Sequence, residues 1–161
     1  AGVGELLCRS PSVMAGYYKN TEASEAAFTD GWLRTGDIVR RDDQGNLFFY
    51  DRRKDVIKTG GMNVSSAEVE NVLADFPGVA DVAVVGIEDP EWSEAIVAWV
   101  VPEALQSIEP DDVIEFCKKR IAGYKVPKRV YIVEDLPRDQ QGKVRKRSIR
   151  SSLRVEKDGF D

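Results

Sequence analysis

Acidic side chains, lysines and glycine turns are the candidates for chemistry in this sequence, because its 161 residues include no histidine. That absence excludes a Ser-His-Asp triad, a histidine-ligated metal and a histidine general base within these residues. Asp37 follows Thr35-Gly36, and a carboxylate presented on a glycine turn can accept hydrogen bonds from both hydroxyls of a ribose. A turn-stabilising aspartate is the alternative interpretation, and the tripeptide by itself favours it.

Two segments further along the chain place glycines and a lysine where a ligand could approach. Gly60-Gly61 separates two short strand candidates, so it predicts a hairpin turn and would also admit close approach of a ligand to the backbone. Lys143 ends the polar loop 136–143, and a lysine on a loop can place its charge on a carboxylate or a phosphate. The charged run 51–55 is typical of a linker. Each feature, taken alone, is also typical of an ordinary surface.

The elements that would position these residues fall into two organisations. The first 50 residues hold strand candidates at 5–9 and 47–50 and a helix candidate at 21–28, with too few core positions to fold alone. From residue 65 the pattern predicts the order α-β-β-α-β-α, beginning at a Ser65-x-x-Glu68 capping box. The predicted fold class is α+β, a small sheet flanked by helices and preceded by a short β-rich segment. The later strand candidates are residues 82–87, 95–101 and 130–133, and the last two helices are predicted to begin at Pro110 and to cover residues 143–153.

Composition indicates a globular chain rather than a disordered or membrane-spanning one. Hydrophobic residues make up 42% and charged residues 32%, which is too apolar for disorder, and no apolar run approaches the ~20 residues of a membrane helix. Cys8 and Cys117 have no spacing typical of a metal site or a disulfide framework, and no secretion signal is visible. A reducing, cytoplasmic location is therefore expected.

Positive charge is concentrated in one part of the chain. The formal net charge is -5, but residues 118–154 hold 13 Lys and Arg against 3 Asp and Glu. Such a segment indicates an anionic partner, an intramolecular face or a solvated helix surface. Nucleic acid is not expected as the partner, because Tyr124 and Tyr131 are the only aromatic residues there and no standard reader motif occurs.

Seven short motifs, taken in their order, resemble the C-terminal third of the adenylate-forming superfamily, which includes acyl-CoA synthetases, aryl-CoA ligases, luciferases and the adenylation domains of nonribosomal peptide synthetases. The resemblance covers residues 1–150, and residues 57–66 look most like the fatty-acyl-CoA synthetase branch. The motifs that carry it are Gly4-Glu5-Leu6, Gly16-Tyr17, Asp30-Gly31-Trp32-x-x-Thr35-Gly36-Asp37, Asp51-Arg52-x-Lys54-Asp55-x-Ile57-Lys58-x-Gly60-Gly61, Val64-x-x-x-Glu68-x-Glu70, Tyr124-Lys125-x-Pro127 and Leu136-Pro137-Arg138-x-x-x-Gly142-Lys143.

The resemblance implies an ATP-dependent, AMP-forming acid–thiol ligase. Members of the family join a carboxylic acid, here expected to be a fatty acid, to ATP and release pyrophosphate. They then pass the acyl group from the acyl-adenylate to the thiol of CoA. ATP and CoA are therefore the implied cofactors. Mg²⁺ is expected for the full enzyme, with no metal ligand assigned in these residues.

Four residues acquire roles from the resemblance, position by position. Asp37 matches the aspartate that holds the ribose hydroxyls, and Arg52 matches the arginine beside it. Lys54 matches the hinge about which the C-terminal domain swings between the two half-reactions. Lys143 matches the lysine that enters the site for adenylation, where its charge would steady the carboxylate and the α-phosphate.

The hairpin and the basic segment acquire expected partners in the same way. Lys58, Gly60 and Gly61 match the hairpin that faces the pantetheine of CoA in the thioester-forming pose. Residues 118–154 would offer positive charge to the phosphates of CoA, a hypothesis that centres on Lys125, Lys128 and Arg129.

The resemblance also implies a domain organisation. Residues 1–53 are expected to be the β-rich end of an N-terminal adenylation domain, residues 54–150 the C-terminal lid domain, and residues 151–161 a tail. The family's phosphate loop, adenine pocket and acyl pocket precede the matching region. The chain is therefore expected to be a fragment whose partner is the missing N-terminal domain, and to be inactive alone.

Two alternatives stay open at this point. The first is an aryl- or amino-acid-adenylating domain that loads a carrier protein. The second is a non-catalytic α+β binding module that has kept the scaffold.

Overall fold

The structure, a computed structural model, describes residues 2–158, and these fall into two compact units. The first unit ends at Lys54 and the second begins at Asp55. The sequence prediction placed the boundary one residue earlier, before Lys54.

The first unit is a four-stranded antiparallel sheet with one short helix. β3 is its central strand, with β1 along one edge and both β2 and β4 along the other. Three of the predicted segments form elements here, and the long strand β3 was not predicted. The elements are β1 (Gly2–Cys8), α1 (Thr21–Ala27), β2 (Phe28–Thr29), β3 (Trp32–Arg41) and β4 (Leu47–Arg52).

The Thr35-Gly36-Asp37 segment lies inside strand β3, so the prediction of a tight turn there is wrong. The pairing of β3 with β1 shifts between Glu5 and Leu7, which forms a β-bulge opposite these residues. Gly36 adopts φ +74°, a left-handed conformation that favours glycine. A glycine at a bulge and a glycine in a turn give the same signal in the sequence, which explains the error.

The second unit is an α+β layer structure, and the predicted order of elements from residue 65 is confirmed. β8 is the central strand of a five-stranded sheet. It runs antiparallel to β7 on one side and, on the other, pairs with β5 and runs parallel to β9. The elements are β5 (Ile57–Thr59), β6 (Met62–Val64), α2 (Ser66–Ala74), β7 (Val79–Asp89), β8 (Ser93–Pro102), α3 (Pro110–Lys118), a 3-10 turn (Gly123–Lys125), β9 (Arg129–Ile132) and α4 (Lys146–Asp158).

Helices cover both faces of this sheet, which is why its strands are apolar without alternation. Val84 of β7 points to the face that packs against α2 and α3, and the neighbouring Val85 points to the face that packs against α4. The first cluster includes Val69, Leu73, Ile96 and Val113, and the second includes Val97, Leu136, Ile149 and Leu153. This double-sided core makes the second unit the better packed of the two.

The first helix of the second unit begins where it was predicted to begin, whereas the last helix does not. The predicted cap of α2 is confirmed, since Ser65 Oγ accepts the backbone N–H of Glu68 at 3.0 Å. Helix α4 begins at Lys146, three residues later than predicted, and continues to Asp158. The expected tail from residue 151 is therefore helical through residue 158, because Leu153 is buried against the sheet. Residues 159–161 lie outside the described residues.

Candidate functional site

Asp37 and Arg52 are direct neighbours across strands β3 and β4 of the first unit. Arg52 Nε lies 2.9 Å from Asp37 Oδ1, and the two side chains are 27% (Asp37) and 53% (Arg52) exposed. Oδ1 is buried, so the exposed 27% of the Asp37 side chain belongs to its other atoms, which include Oδ2. A carboxylate has about four acceptor positions, and Arg52 occupies one side of it. The pair can therefore still accept hydrogen bonds from a diol.

Thr35 fixes the backbone that bears this carboxylate, a role that sequence reasoning missed. Its Oγ1 donates to the carbonyl of Leu6 at 2.7 Å and accepts the backbone N–H of Asp37 at 3.1 Å. Arg52 Nη1 in turn reaches the carbonyl of Thr35 at 3.5 Å. The hydroxyl thus bridges the β-bulge, and the Thr-x-Asp spacing is the signal that could have revealed it.

Lys54, the predicted hinge, stands between two residues that are each anchored in a different unit. Arg53 donates its backbone N–H to the carbonyl of Gly36 at 2.8 Å in the first unit. Asp55 is buried and pairs with Arg150 at 2.9 Å in the second unit. Lys54 itself is exposed. Its role as a hinge stays a prediction, and these anchors identify the backbone about which such a motion would occur.

The Gly60-Gly61 turn joins β5 to β6, and the predicted hairpin is confirmed. Both glycines have positive φ, +54° and +77°, as the tight two-residue turn requires. Gly60 donates its N–H to the carbonyl of Trp92 at 2.9 Å, and a Cβ at Gly60 would lie 3.1 Å from the Trp92 ring. A Cβ at Gly61 would meet no atom within 4 Å. One glycine is therefore packed and the other faces open space.

Lys58 lies on the same hairpin, with its side chain exposed. Its backbone N–H donates to the carboxylate of Glu94 on β8. Glu94 and Trp92 thus fix the hairpin to the turn between β7 and β8, and both were missed from the sequence because they are more than thirty residues away.

Lys143 lies on a different loop of the second unit, and this loop is closed by one aspartate. The Asp139 carboxylate accepts the backbone N–H groups of Gln141 at 2.8 Å and Lys143 at 3.0 Å. The backbone N–H of Asp139 donates to the Lys143 carbonyl at 2.9 Å, and Gly142 supplies a left-handed φ of +82°. The Lys143 side chain is exposed. A folded turn therefore presents this lysine outward before any ligand binds.

This turn should be insensitive to pH in the neutral range. The backbone N–H of Lys143, helped by that of Gln141 and by the charges of Lys143 and Arg145, holds the pKa of Asp139 below its ordinary value of 3.8. A lowered pKa means that the stabilisation is present above pH 3.8 and is lost as the pH falls through the lower value.

We expect a ¹³C NMR titration of the Asp139 carboxyl in the 161-residue chain to give a midpoint below 3.8. In a Gly142→Val variant, where a β-branched residue is unsuited to positive φ, the midpoint should rise toward 3.8 because the turn opens. A native midpoint at or above 3.8 would contradict the closed turn.

Much of the positive charge of residues 118–154 is used inside the second unit. Lys125 pairs with Glu68 at 2.5 Å, Lys146 pairs with Glu70 at 2.7 Å, and Lys128 lies over the Trp92 ring at 4.2 Å from its centre. Arg138 and Arg150 pair with Asp81 and Asp55. The intramolecular interpretation of the charge asymmetry is thus supported for these residues, and Lys125 in particular is not an isolated charge.

The described residues offer neither a clustered metal-ligand set nor a membrane-spanning helix. Over the described part of the chain, no three Cys, Asp or Glu side chains gather in a way that could hold a metal ion. Within residues 2–158, none of the helices has the length and apolar character needed to cross a membrane.

Comparison with known proteins assigns part of the chain to a family. Residues 68–143 match the model of the AMP-binding enzyme C-terminal domain. The chain is 44% identical over 147 residues to the indoleacetate–CoA ligase of Aromatoleum aromaticum, and 42% identical over 149 residues to the long-chain-fatty-acid–CoA ligase FadD13 of Mycobacterium tuberculosis. These alignments cover 91% and 92% of this chain. The resemblance seen in the motifs is confirmed.

A solved structure has the same fold over nearly the whole chain. ATP-bound MatB from Rhodopseudomonas palustris superposes with a TM-score of 0.88 at 33% identity, over 94% of this chain. The α+β class is confirmed by this match. The chain spans about 30% of the length of its relatives: 29% of each of the two ligases and 30% of MatB.

Proposed function

Because residues 68–143 belong to the AMP-binding enzyme C-terminal domain family, we propose that the chain supplies the C-terminal machinery of an ATP-dependent acid–thiol ligase. In the first half-reaction a carboxylate oxygen attacks the α-phosphorus of ATP and pyrophosphate leaves. In the second half-reaction the CoA sulfur attacks the acyl carbon and AMP leaves. The two CoA ligases among the relatives support this activity.

The observation that carries the proposal is the Asp37–Arg52 pair. The Thr35 hydroxyl fixes the backbone that bears the carboxylate, and Arg52 on the neighbouring strand pairs with the carboxylate, yet the Asp37 side chain stays 27% exposed. A fixed, charged acceptor suits the two hydroxyls of the ATP ribose, because hydrogen bonds to an ionised group are the stronger ones. Arg52 would keep the carboxylate correctly oriented through their ion pair.

Lys143 is the proposed adenylation residue. A lysine ammonium can offset charge that develops on the carboxylate and the α-phosphate as the acyl-adenylate forms. The Asp139 turn presents the side chain outward, as such an approach would require. Rotation about Lys54 would bring this lysine into the site for adenylation and remove it for acyl transfer.

The Lys58–Gly61 side of the second unit is proposed to face CoA after that rotation. Gly61 leaves open space where a side chain would stand, and this suits the passage of a pantetheine arm. Lys58 is exposed on the same hairpin and can meet a phosphate or a carbonyl oxygen. The second half-reaction would therefore use a different surface of the unit from the first.

The acyl substrate is proposed to be a carboxylic acid of the fatty or the aryl class. The motif around residues 57–66 and the FadD13 relative favour a fatty acid. The indoleacetate–CoA ligase relative favours an aryl acid. Both acids belong in the assay that follows.

A chimeric ligase tests the proposed function. Residues 2–158 would replace the aligned C-terminal region of the Aromatoleum aromaticum indoleacetate–CoA ligase, which is 44% identical. We expect this ligase chimera to form indoleacetyl-CoA from indoleacetate, ATP and CoA, and we expect its Asp37→Ala variant to need at least about tenfold more ATP, because one charge-assisted hydrogen bond contributes about 1.5–3 kcal/mol.

Glu25→Ala on α1 is the matched control, since it removes an exposed acidic side chain that belongs to neither β3 nor β4. A folded chimera that forms no acyl-adenylate from indoleacetate or a long-chain fatty acid would contradict the proposal. An Asp37→Ala variant with the same KM for ATP as Glu25→Ala would contradict the ribose assignment.

A further inference from the structure

Near its start, the loop that carries Lys143 is attached to strand β7 through Arg138. The guanidinium of Arg138 pairs with the carboxylate of Asp81 on β7. The same guanidinium donates from Nη1 to the carbonyl of Gly142 at 2.6 Å. One side chain therefore links the strand to the residue that directly precedes Lys143.

The other end of the loop is attached to the same strand through helix α2. Lys146, the first residue of α4, places its Nζ 2.7 Å from both Glu70 Oε1 and Ser66 Oγ. Glu70 Oε1 also accepts the backbone N–H of Val84 on β7 at 2.8 Å. Lys146 and Glu70 are only 17% and 22% exposed, so solvent screens this contact less than it would a surface pair.

Strand β7 can anchor both ends of the loop because one of its two edges pairs with no other described strand. Among the described strands it pairs with β8 alone, at the end of the sheet. Asp81 and Val84 are three residues apart, which is about 10 Å along a strand. Helices α2 and α4 lie on opposite faces of the sheet, so the Glu70–Lys146 contact joins the two layers around this edge.

We infer that Asp81–Arg138 and Glu70–Lys146 are positioning pairs that fix the direction in which the loop presents Lys143; this rests on the proposed function of Lys143. None of the four touches a substrate in this role. The side chains of Arg138 and Asp81 are 41% and 34% exposed. Because solvent screens a pair this exposed, it contributes little to the overall folding stability. Its effect is local: it restrains the Gly142 carbonyl and hence the backbone that bears the lysine.

The expected consequence is selective loss of adenylation. A lysine that must meet a small target loses rate when its backbone explores several orientations. Acyl transfer, which in the proposed cycle uses the hairpin instead of Lys143, should be unaffected. A purely structural role would slow both half-reactions together.

Arg138→Gln tests this inference in two ways. In the 161-residue chain, amide hydrogen exchange at Gln141 and Lys143 should accelerate at least fivefold, while exchange at Val97 in the central strand β8 stays unchanged. In the ligase chimera, adenylation should fall about tenfold, and acyl transfer from added acyl-adenylate should stay within twofold. Arg138→Lys, which keeps the charge beside Asp81, should recover part of the adenylation rate.

Lys119→Gln is the matched control, since the exposed Lys119 directly follows α3 and pairs with the exposed Glu115 at 3.9 Å. Exchange at Gln141 and Lys143 that is equal in Arg138→Gln and Lys119→Gln would overturn the inference, and so would equal slowing of both half-reactions. Lys143→Ala is measured in the same chimera. Unchanged adenylation in that variant would refute the proposed function itself, whereas a slow Lys143→Ala beside a normal Arg138→Gln would refute only the positioning role.

Discussion

Replacing Lys143 by alanine is expected to slow the adenylation half-reaction of the ligase chimera by about 10²–10³-fold, the usual effect of removing one preorganised group that stabilises developing charge. The lysine is exposed on a folded turn, so its removal should leave the turn and the core intact. Acyl transfer from added acyl-adenylate should stay within about twofold, because the proposed second half-reaction does not use this side chain. ATP–pyrophosphate exchange measures the first step, and acyl-CoA formation from acyl-adenylate measures the second.

Two further variants test whether the effect of Lys143→Ala depends on the charge and on the position of this lysine. Lys143→Arg keeps the positive charge but changes its shape and reach, so it should recover only part of the adenylation rate. Lys119→Ala removes an exposed lysine that directly follows α3 and should leave adenylation unchanged. Equal slowing of both half-reactions by Lys143→Ala, or no slowing of either, would contradict the assigned role.

The order of elements in the second unit could be predicted because local patterns determine it. Ser65 caps α2, the apolar positions of α2 recur at helical spacing, and Gly60-Gly61 allows only a tight turn. Helix α4 was misplaced because its basic side chains gave no start signal, and its position depends on Ile149 and Leu153 reaching the sheet. Burial of those two residues is a long-range property that a local pattern does not contain.

In the first unit, the prediction of a turn at Gly36 was wrong for a similar reason. Glycine at position 36 is compatible with a turn or a bulge, and only pairing with Glu5 and Leu7 thirty residues earlier distinguishes the two. The bulge lets Thr35 bond across to Leu6, and the separate pairing of β3 with β4 places Asp37 opposite Arg52. The residue types of the candidate site could be predicted, whereas the contacts that hold them could not.

Ion pairs within the second unit were also beyond sequence reasoning. Glu68 suggested a capping box, yet its side chain contacts Lys125, which lies 57 positions away. Asp81 and Arg138 are likewise 57 positions apart, and neither carries a local signal. The basic segment therefore stayed compatible with an anionic partner, an intramolecular face or a solvated helix, and only the contacts show that several of its members hold the unit together.

The second large effect is expected at Gly61, and it should be the reverse of the Lys143 result. Gly61→Asn should slow acyl transfer to CoA by about 10²-fold, the scale of a misplaced reactant, and should leave adenylation within about threefold. A Cβ at this position meets no atom within 4 Å, so the new side chain would extend into the space proposed for pantetheine. Gly60 is a poorer reporter, since its Cβ would press on the Trp92 ring at 3.1 Å and disturb the hairpin.

Backbone strain is the competing explanation for any loss at Gly61, because its φ is +77°. Asparagine tolerates that conformation better than alanine does, whereas alanine is the smaller side chain. If obstruction is the cause, Gly61→Asn will slow acyl transfer more than Gly61→Ala. If strain is the cause, Gly61→Ala will be at least as slow and will melt at a lower temperature than Gly61→Asn. Acyl transfer that is at least as slow in Gly61→Ala as in Gly61→Asn, or an equal loss of adenylation in both variants, would contradict the proposal that this hairpin faces CoA. The thioester-forming surface would then lie elsewhere on the unit.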